Sequence, residues 1–434
     1  MDNLILEKFR HIHFIGIGGV SMHSLAIYCK SYGLSVSGSD VKKNKYTKLC
    51  EQNGIKISIK HRAKNIDNAD LVVYSSAINF SNPEIMEAEK RKIKVVSRAE
   101  LLACICKNFK CVIGISGTHG KSTTASMIYH ILLDSGKKVS CHIGADIQDA
   151  RLNPFDEFLV LECCEYNKSF LKFDCDVGVV LNIDNDHLDC YENMYNLKNA
   201  FRTFLKHCKT RFVAQNKTTD GLNVSKTNYI KPVQILNSTT FIVQNRKYKL
   251  GYVYGEYNIN NAVVAISVCE SLGISYTRMY NSIKHFKSVG RRCELVGRFK
   301  NYDVITDYAH HPTEIKNVCN ALKEKYDDVI VVFQPHTYSR TKILFNDFVK
   351  ELLNLDNLII YKEYPAREIK SKGVSAKVLS QELDNSTYSK NYKFLRKYLM
   401  NLQMAENKNC IVFMGAGNIY DICLKFMKRF GEMI

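Results

Sequence analysis

The stretch Ile113-Gly-Ile-Ser-Gly-Thr-His-Gly-Lys-Ser122 decides how this chain is read. An apolar run ends in a glycine-containing turn, and Lys121 and Ser122 then open a helix-like segment, Thr123 to Leu133. Glycines let backbone N–H groups turn toward an anion, and a helix N-terminus adds a favourable dipole. A lysine supplies charge for phosphate, and a hydroxyl supplies a ligand for Mg²⁺. Strand, turn and helix together read as a cradle for a nucleoside triphosphate. The spacing departs from the strict Walker pattern. The position five before Gly120 is Ile115, and the loop runs Gly117-x-x-Gly120-Lys-Ser.

Outward from this loop, apolar runs alternate with amphipathic helical stretches, which argues an α/β fold with mainly parallel sheets. Three blocks are visible. The first has strands at His11–Gly16, Leu34–Ser39, Leu71–Ala77 and Lys94–Ser97, with a helix from Val20 to about Tyr32. The second starts near Cys111 and continues through strands at Phe158–Leu161 and Val177–Ile183. Its segment Gln215–Gly251 is polar and β-branched, which predicts a meander or hairpins, and a helix over Asn258–Leu272 closes it. The third begins around Cys293, with strands at Val304–Thr306, Val329–Phe333, Leu358–Tyr361 and Cys410–Met414. Lys284–Arg292 reads as a hinge, and no solenoid repeat is visible.

At 434 residues the chain exceeds one ordinary core, so two or three domains are expected. A hydrophobic content of 46% with 24% charged residues describes a soluble globule. No apolar run approaches the roughly 20 residues that span a bilayer, and the N-terminus lacks a signal-peptide pattern, so the expected compartment is the cytoplasm. The 16 cysteines form no CxxC pair, which argues against zinc and, in a cytosolic chain, against disulfides. The net charge of +18 suits either nucleic acid or small anions. The lysines are spread along the chain and no aromatic RNA-binding signature accompanies them, so nucleic acid is not expected as a partner.

The remaining motifs sit at strand ends. Gly16-Ile-Gly18-Gly19-Val-Ser21 follows a strand and precedes a helix, with Asp40 about twenty residues on. This is nearly a dinucleotide fingerprint, with Ser21 at the third glycine. It implies a diphosphate at a helix N-terminus, from a nicotinamide dinucleotide or a UDP-linked ligand, and a tight structural turn is the alternative. Glu162 and Glu165 follow a buried strand, where Mg²⁺ is usually held beside a phosphate loop. Asp184-Asn-Asp186-His187-Leu-Asp189 offers a second metal site. Asn258 and Asn261 suit either an adenine edge or a helix cap. Asp307-Tyr-Ala-His310-His311-Pro and Gln334-Pro-His336-Thr-Tyr-Ser-Arg340 suggest a carboxylate pocket, with Arg340 as bidentate partner. The Gly415-Ala-Gly417-Asn turn reads as structural.

In order along the chain stand GIGGVSM, SSA, GTHGKST, EYNKSFL, NIDNDH, YNINNA, DYAHHPTEI, FQPHTYSRT and REIKSKGVS. This series closely resembles the Mur ligases of peptidoglycan synthesis. The resemblance implies three domains: residues 1–107, Rossmann-like and binding the UDP substrate; 108–292, a central P-loop ATPase with a mostly parallel sheet; and 293–434, Rossmann-like and closing over an amino acid. Gly16, Gly18, Gly19, Ser75 and Ser76 would face the UDP substrate. Gly117, Thr118, His119, Gly120, Lys121, Ser122 and Thr123 would cradle ATP, with Asn258 and Asn261 on adenine and Asp307 on ribose. Ser122, Glu165 and His187 would hold Mg²⁺ or Mn²⁺. Tyr308, His310, His336 and Arg340 would surround the amino acid, and Lys121, His187, His310 and Arg340 would carry the chemistry. Some family members have Arg where Thr337 stands, and some have Asp-Glu-Ser-Asp in place of Cys164-Glu165-Tyr166-Asn167.

The double histidine, the FQPH turn and Glu314 point to the branch that joins L-alanine to the lactyl carboxylate of UDP-N-acetylmuramate. The alternative is the branch that adds a whole tripeptide during cell-wall recycling. Either way ATP, UDP-N-acetylmuramate and an amine are the expected partners, without nucleic acid or membrane, acting on a monomer or homodimer. The implied route is an acyl phosphate, with Lys121 and two Mg²⁺ neutralising charge and His310 taking the proton of the amine.

Overall fold

The computed structural model describes residues 4–144, 147, 150–186, 188–366, 368, 374–404 and 406–434. The chain divides into two units, Met1–Val233 with Asn261–Ile283, and Gln234–Asn260 with Lys284–Ile434.

The first unit contains two parallel sheets. β1 (His11–Ile15), β2 (Ser35–Asp40), β3 (Lys56–Ile59), β4 (Leu71–Tyr74) and β5 (Lys94–Ser97) lie in the order β3-β2-β1-β4-β5. Every pairing is parallel, as helical crossovers require. Strand order reverses between β1 and β4, so the turns after these two strands open onto one crevice. The second sheet has β6 (Cys111–Ser116), β7 (Val139–His142), β8 (Phe158–Glu162), β9 (Val177–Val180), β10 (Thr210–Ala214) and β11 (Thr227–Ile230), ordered β11-β10-β9-β6-β8-β7 and again wholly parallel. β6 is central and nearly all apolar, the pattern of a strand covered on both faces.

Two glycines in this sheet are spaces filled by sulfur. A Cβ on Gly114 would stand 2.5 Å from Cys175 Sγ and 2.9 Å from Cys163 Sγ, and one on Gly178 would collide with Cys208 Sγ. All 16 cysteines are free, and all but Cys111, Cys164, Cys190 and Cys293 are buried. Burial pushes the Cys163 thiol above its ordinary pKa, so it behaves as a small apolar group.

The second unit begins with the antiparallel meander β12 (Gln234–Asn237), β13 (Thr240–Val243) and β14 (Arg246–Lys249). Its main sheet has β15 (Glu294–Phe299), β16 (Tyr302–Asp307), β17 (Asp328–Phe333), β18 (Asn357–Tyr361), β19 (Ser386–Ser389), β20 (Asn409–Met414) and β21 (Glu432–Met433), ordered β19-β18-β17-β20-β16-β15-β21. The five strands from β19 to β16 are parallel. β15 runs antiparallel to both neighbours, so this sheet is mixed. β20 lies between β16 and β17, which sets the turns after these three strands side by side.

The three-domain α/β architecture matches the reading of the sequence, with corrections at the edges. The sequence does not mark β3, β7, β10, β15, β19 or β21. β19 reads Ser-Thr-Tyr-Ser, a polar edge strand with no apolar run. The strand expected over Val177–Ile183 ends at Val180. Beyond it the backbone turns to bind the phosphate loop, with Thr118 N–H donating to Asn182 O at 3.1 Å.

Candidate functional site

The phosphate loop leaves β6 at Ser116 and enters the helix Lys121–Asp134. Gly117 has φ +138°, and an added Cβ would meet Leu181 Cβ at 3.0 Å and Asn182 N at 3.1 Å. Gly120 has φ +81°, and a side chain there would strike the Asn261 amide. Asn182 staples the loop from the neighbouring strand end, accepting from His119 N–H at 2.8 Å and donating to His119 O at 3.0 Å. Thr118 Oγ1 accepts from Asp184 N–H at 2.9 Å, and His119 Nε2 lies 3.0 Å from Asp184 Oδ2.

Inside the loop, Lys121 Nζ donates to Gly117 O at 2.5 Å and Thr118 O at 2.9 Å, and pairs with Glu165 Oε2 at 3.0 Å. Burial opposes the ammonium charge, but Glu165 together with Cys164 and Glu162 outweighs it, and the pKa of Lys121 is raised. Ser122 Oγ donates to Glu162 Oε2 at 2.9 Å, and Gly144 N–H donates to the same oxygen at 3.0 Å. One hydroxyl and two carboxylates are hard oxygen donors, the set a small divalent cation takes.

In the same unit, the turn after β1 carries Gly16 at φ +78°, with Gly19 capping the helix Val20–Ser31. Asp40 Oδ2 accepts from Gly18 N–H at 2.8 Å, and Asn44 Nδ2 donates to Gly18 O at 3.0 Å. The acid that a dinucleotide reading assigns to a ribose is thus part of the turn itself. Ser75 follows β4 and crowds Gly16, where an added Cβ would lie 2.9 Å from Ser75 Oγ. Ser76 beside it is exposed.

In the second unit, Tyr308, His310, His336 and Arg340 come together at the ends of β16 and β17. The Tyr308 and His310 rings lie 5.4 Å apart, His310 and His336 6.1 Å, and Arg340 Nη1 is 3.4 Å from His336 Nδ1. Burial, Arg340 and Arg291 push His336 down to about 4, against Glu368, so its imidazole is neutral near pH 7. His310 Nδ1 lies 2.9 Å from Tyr308 O and 3.2 Å from Glu314 Oε2. Both partners only accept, so Nδ1 carries hydrogen and Nε2 is the basic nitrogen. Arg291 stacks on Tyr308 at 4.7 Å and donates to Gly415 O and Gly417 O, which ties the Gly415 turn to this cluster.

The other expected site residues are placed as follows. Asp307 is buried, and its oxygens accept from Cys293 N–H at 2.8 Å and Ala309 N–H at 2.6 Å. Asn258 and Asn261 lie on the helix Glu256–Ser271, and the Asn258 amide donates to Tyr254 O at 2.9 Å. Thr123 is buried in the first turn of the loop helix. His187 and most of the Arg367–Ser375 motif lie outside the described residues. The sequence reading gave no role to Asn182, although NIDNDH contains it, nor to Arg98 and His142.

The chain is similar to known proteins over nearly its whole length. Residues 11–110 match the family model described as Mur ligase family, catalytic domain; residues 115–269 match the Mur ligase middle domain; and residues 291–417 match the Mur ligase glutamate ligase domain. A UDP-N-acetylmuramate–L-alanine ligase of Aquifex aeolicus is 38% identical over 458 residues, covering 98% of this chain and 99% of that one. A protein of the same description from Clostridium botulinum strain Kyoto is 37% identical, covering 97% and 98%. Among solved structures, the UDP-N-acetylmuramate-alanine ligase of Thermotoga maritima superposes with a TM-score of 0.81 at 24% identity, over 97% of this chain and 99% of that one. A murein peptide ligase from Psychrobacter arcticus gives 0.69 at 19% identity, over 98% and 99%.

Proposed function

The chain belongs to the Mur ligase family, and from that premise we propose that it joins L-alanine to the lactyl carboxylate of UDP-N-acetylmuramate at the expense of ATP. The observation that carries the reading is the pair of anion cradles in the first unit, one after β1 and one after β6, the second holding Lys121 against a buried carboxylate.

In this reading the lactyl carboxylate attacks the γ-phosphorus of ATP, ADP leaves, and an acyl phosphate forms. The alanine amine then attacks the carbonyl carbon and expels phosphate. A carboxylate is a poor acyl donor, and two anions repel, so the first step needs positive charge on the transferred group. Lys121 supplies it once ATP draws its ammonium from Glu165. Gly117 to Thr123 hold the phosphates through backbone N–H groups. Ser122, Glu162 and Glu165 would hold Mg²⁺ or Mn²⁺, with His187 at a second ion, and the metal supplies further neutralisation. Asn258 and Asn261 serve adenine. Asp307 would take the ribose through the lone pairs that its two backbone N–H donors leave. Gly16, Gly18, Gly19, Ser75 and Ser76 hold the UDP part.

Arg340 grips the carboxylate of alanine, beside Tyr308 and the neutral His336. His310 Nε2 takes the proton of the amine, and Glu314 stabilises the imidazolium that results. ATP and a sugar nucleotide are cytoplasmic substrates, and the cytoplasm is the compartment we assign. Among the described residues no helix is long and apolar enough to cross a membrane. Nucleic acid has no role, and the working form is a monomer or homodimer.

The test is phosphate release from ATP with UDP-N-acetylmuramate, magnesium and one amine at a time: L-alanine, L-serine, glycine or the tripeptide. Release with L-alanine supports the assignment. Release with the tripeptide alone moves the chain to the recycling branch, and no release with any amine removes the assignment.

A further inference from the structure

One polar cluster in the first unit is unused by the mechanism above. Ser21 stands in the first turn of the helix that follows the Gly16–Gly19 turn. Arg98 opens the helix after β5, and His142 ends β7. Arg98 Nη1 donates to Ser21 Oγ at 2.9 Å, and Ser21 Oγ lies 2.7 Å from His142 Nε2. Ser24 Oγ donates to Ser21 O at 2.9 Å and lies 3.4 Å from His142 Nδ1.

The proton directions start from Ser24, whose hydrogen goes to Ser21 O, so its oxygen accepts from His142 Nδ1. A neutral ring with hydrogen on Nδ1 leaves Nε2 to accept from Ser21 Oγ, which itself accepts from Arg98. In this network His142 is neutral with hydrogen on Nδ1. Burial, Arg98 and His23 push its pKa down to about 3, in keeping with that state.

Ser21 is thus fixed from behind, and it fixes one arm of Arg98. Among the described residues, this is the only hydrogen bond Arg98 makes, and no carboxylate lies within ion-pair distance of it. Burial pulls the guanidinium pKa down, and Cys164 and Glu162 act in the opposite direction; β7 pairs His142 with Leu161 of β8, the residue before Glu162. Glu162 is the acceptor of Ser122 at the phosphate loop. Arg98 therefore lies where the carboxyl ends of both parallel sheets converge, next to the diphosphate turn on one side and the Ser122–Glu162 pair on the other. Ligands gather at such strand ends. A guanidinium with most of its fork unused is built for a planar, two-oxygen anion.

We propose that Arg98, held by Ser21 and His142, binds the reacting carboxylate of the sugar-nucleotide substrate and points it toward the transferred phosphoryl group. This rests on the ligase reading above. It concerns a substrate-binding arginine for the carboxylate, with Ser21 and His142 as positioning residues.

The test compares wild type with Arg98→Lys and Ser21→Ala. Lysine keeps the charge and loses the fork. Arg98→Lys is expected to raise KM for UDP-N-acetylmuramate about tenfold or more and to lower kcat. The same sugar nucleotide lacking the lactyl ether should inhibit wild type and variant equally, because it offers no carboxylate. Ser21→Ala should give a smaller change of the same kind. Equal weakening of the lactyl-free nucleotide would assign Arg98 to the diphosphate and overturn the proposal. A lowered melting temperature with unchanged KM and kcat would make the role structural and overturn it too. If wild type itself releases no phosphate with UDP-N-acetylmuramate, ATP and L-alanine, the ligase reading fails first, and the two failures are distinguished.

Discussion

Lys121 Nζ and Glu165 Oε2 lie 3.0 Å apart, with the lysine side chain 11% exposed and the glutamate 1%. The pair neutralises charge that the loop would otherwise bury alone. It also keeps the ammonium beside Gly117 O and Thr118 O, in the turn where phosphate oxygens would arrive.

Lys121→Ala is expected to lower kcat by about 10²–10³-fold while UDP-substrate binding persists. Without metal, the uncompensated Glu165 should also lower stability by about 3 kcal/mol, and magnesium should restore more of it in the variant than in wild type. Phosphate release and denaturant melts with and without chelator measure both. Normal turnover in the variant would remove Lys121 from the chemistry.

Arg340→Ala should raise KM for alanine by about 10²-fold with a smaller change in kcat, because it removes a carboxylate contact made in ground and transition states alike. Steady-state kinetics at saturating ATP and sugar nucleotide give the comparison. An unchanged alanine KM would assign the contact to another residue.

The pH dependence of stability has a definite sign. His142 is pushed from its ordinary 6.5 down to about 3. The unfolded chain takes up a proton below pH 6.5 that the folded chain refuses until about pH 3. Stability from this group is therefore whole above pH 6.5 and is lost as pH falls toward 3, about 2 kcal/mol of it by pH 5. His336, pushed down to about 4, acts in the same direction. Melts across pH 7 to 5 should show a shallower slope for His142→Gln than for wild type. Equal slopes would show that His142 is not held neutral.

Gly117→Ala places a methyl against Leu181 Cβ and Asn182 N at a φ of +138°. Backbone cannot yield as a flexible side chain can, so the loop should shift, with a stability loss of about 1–3 kcal/mol and a raised KM for ATP. Wild-type values for both would mean the loop tolerates a Cβ there.

Much of this was legible beforehand because it rests on local chemistry. The strand–turn–helix at Ile113–Ser122 and the glycines after β1 announce themselves through residue type and spacing. Long-range pairings left no such trace. The strand end puts Glu162 and Glu165 beside the phosphate loop, but nothing in the sequence assigns Ser122 to Glu162, forty positions on, and Lys121 to Glu165. Asp40 stood only as the acid about twenty residues past a near-dinucleotide turn, and its carboxylate braces Gly18. Asp307 stood as a ribose ligand, and the sequence did not show that its oxygens also accept from Cys293 and Ala309 N–H. In each case the sequence gives the group but not its partner. Strand β19 escaped notice because an edge strand needs no apolar run.

The sulfur that fills the hollows at Gly114 and Gly178 turns the central sheet into its own clock. Cys163, Cys175 and Cys208 are shut away while the strands stay paired, and an alkylating reagent reaches them only through an opening of that layer. The rate at which these thiols become labelled therefore times the breathing of the ATP-binding half, with no dye or tag attached, and a nucleotide that clamps the loop should slow it.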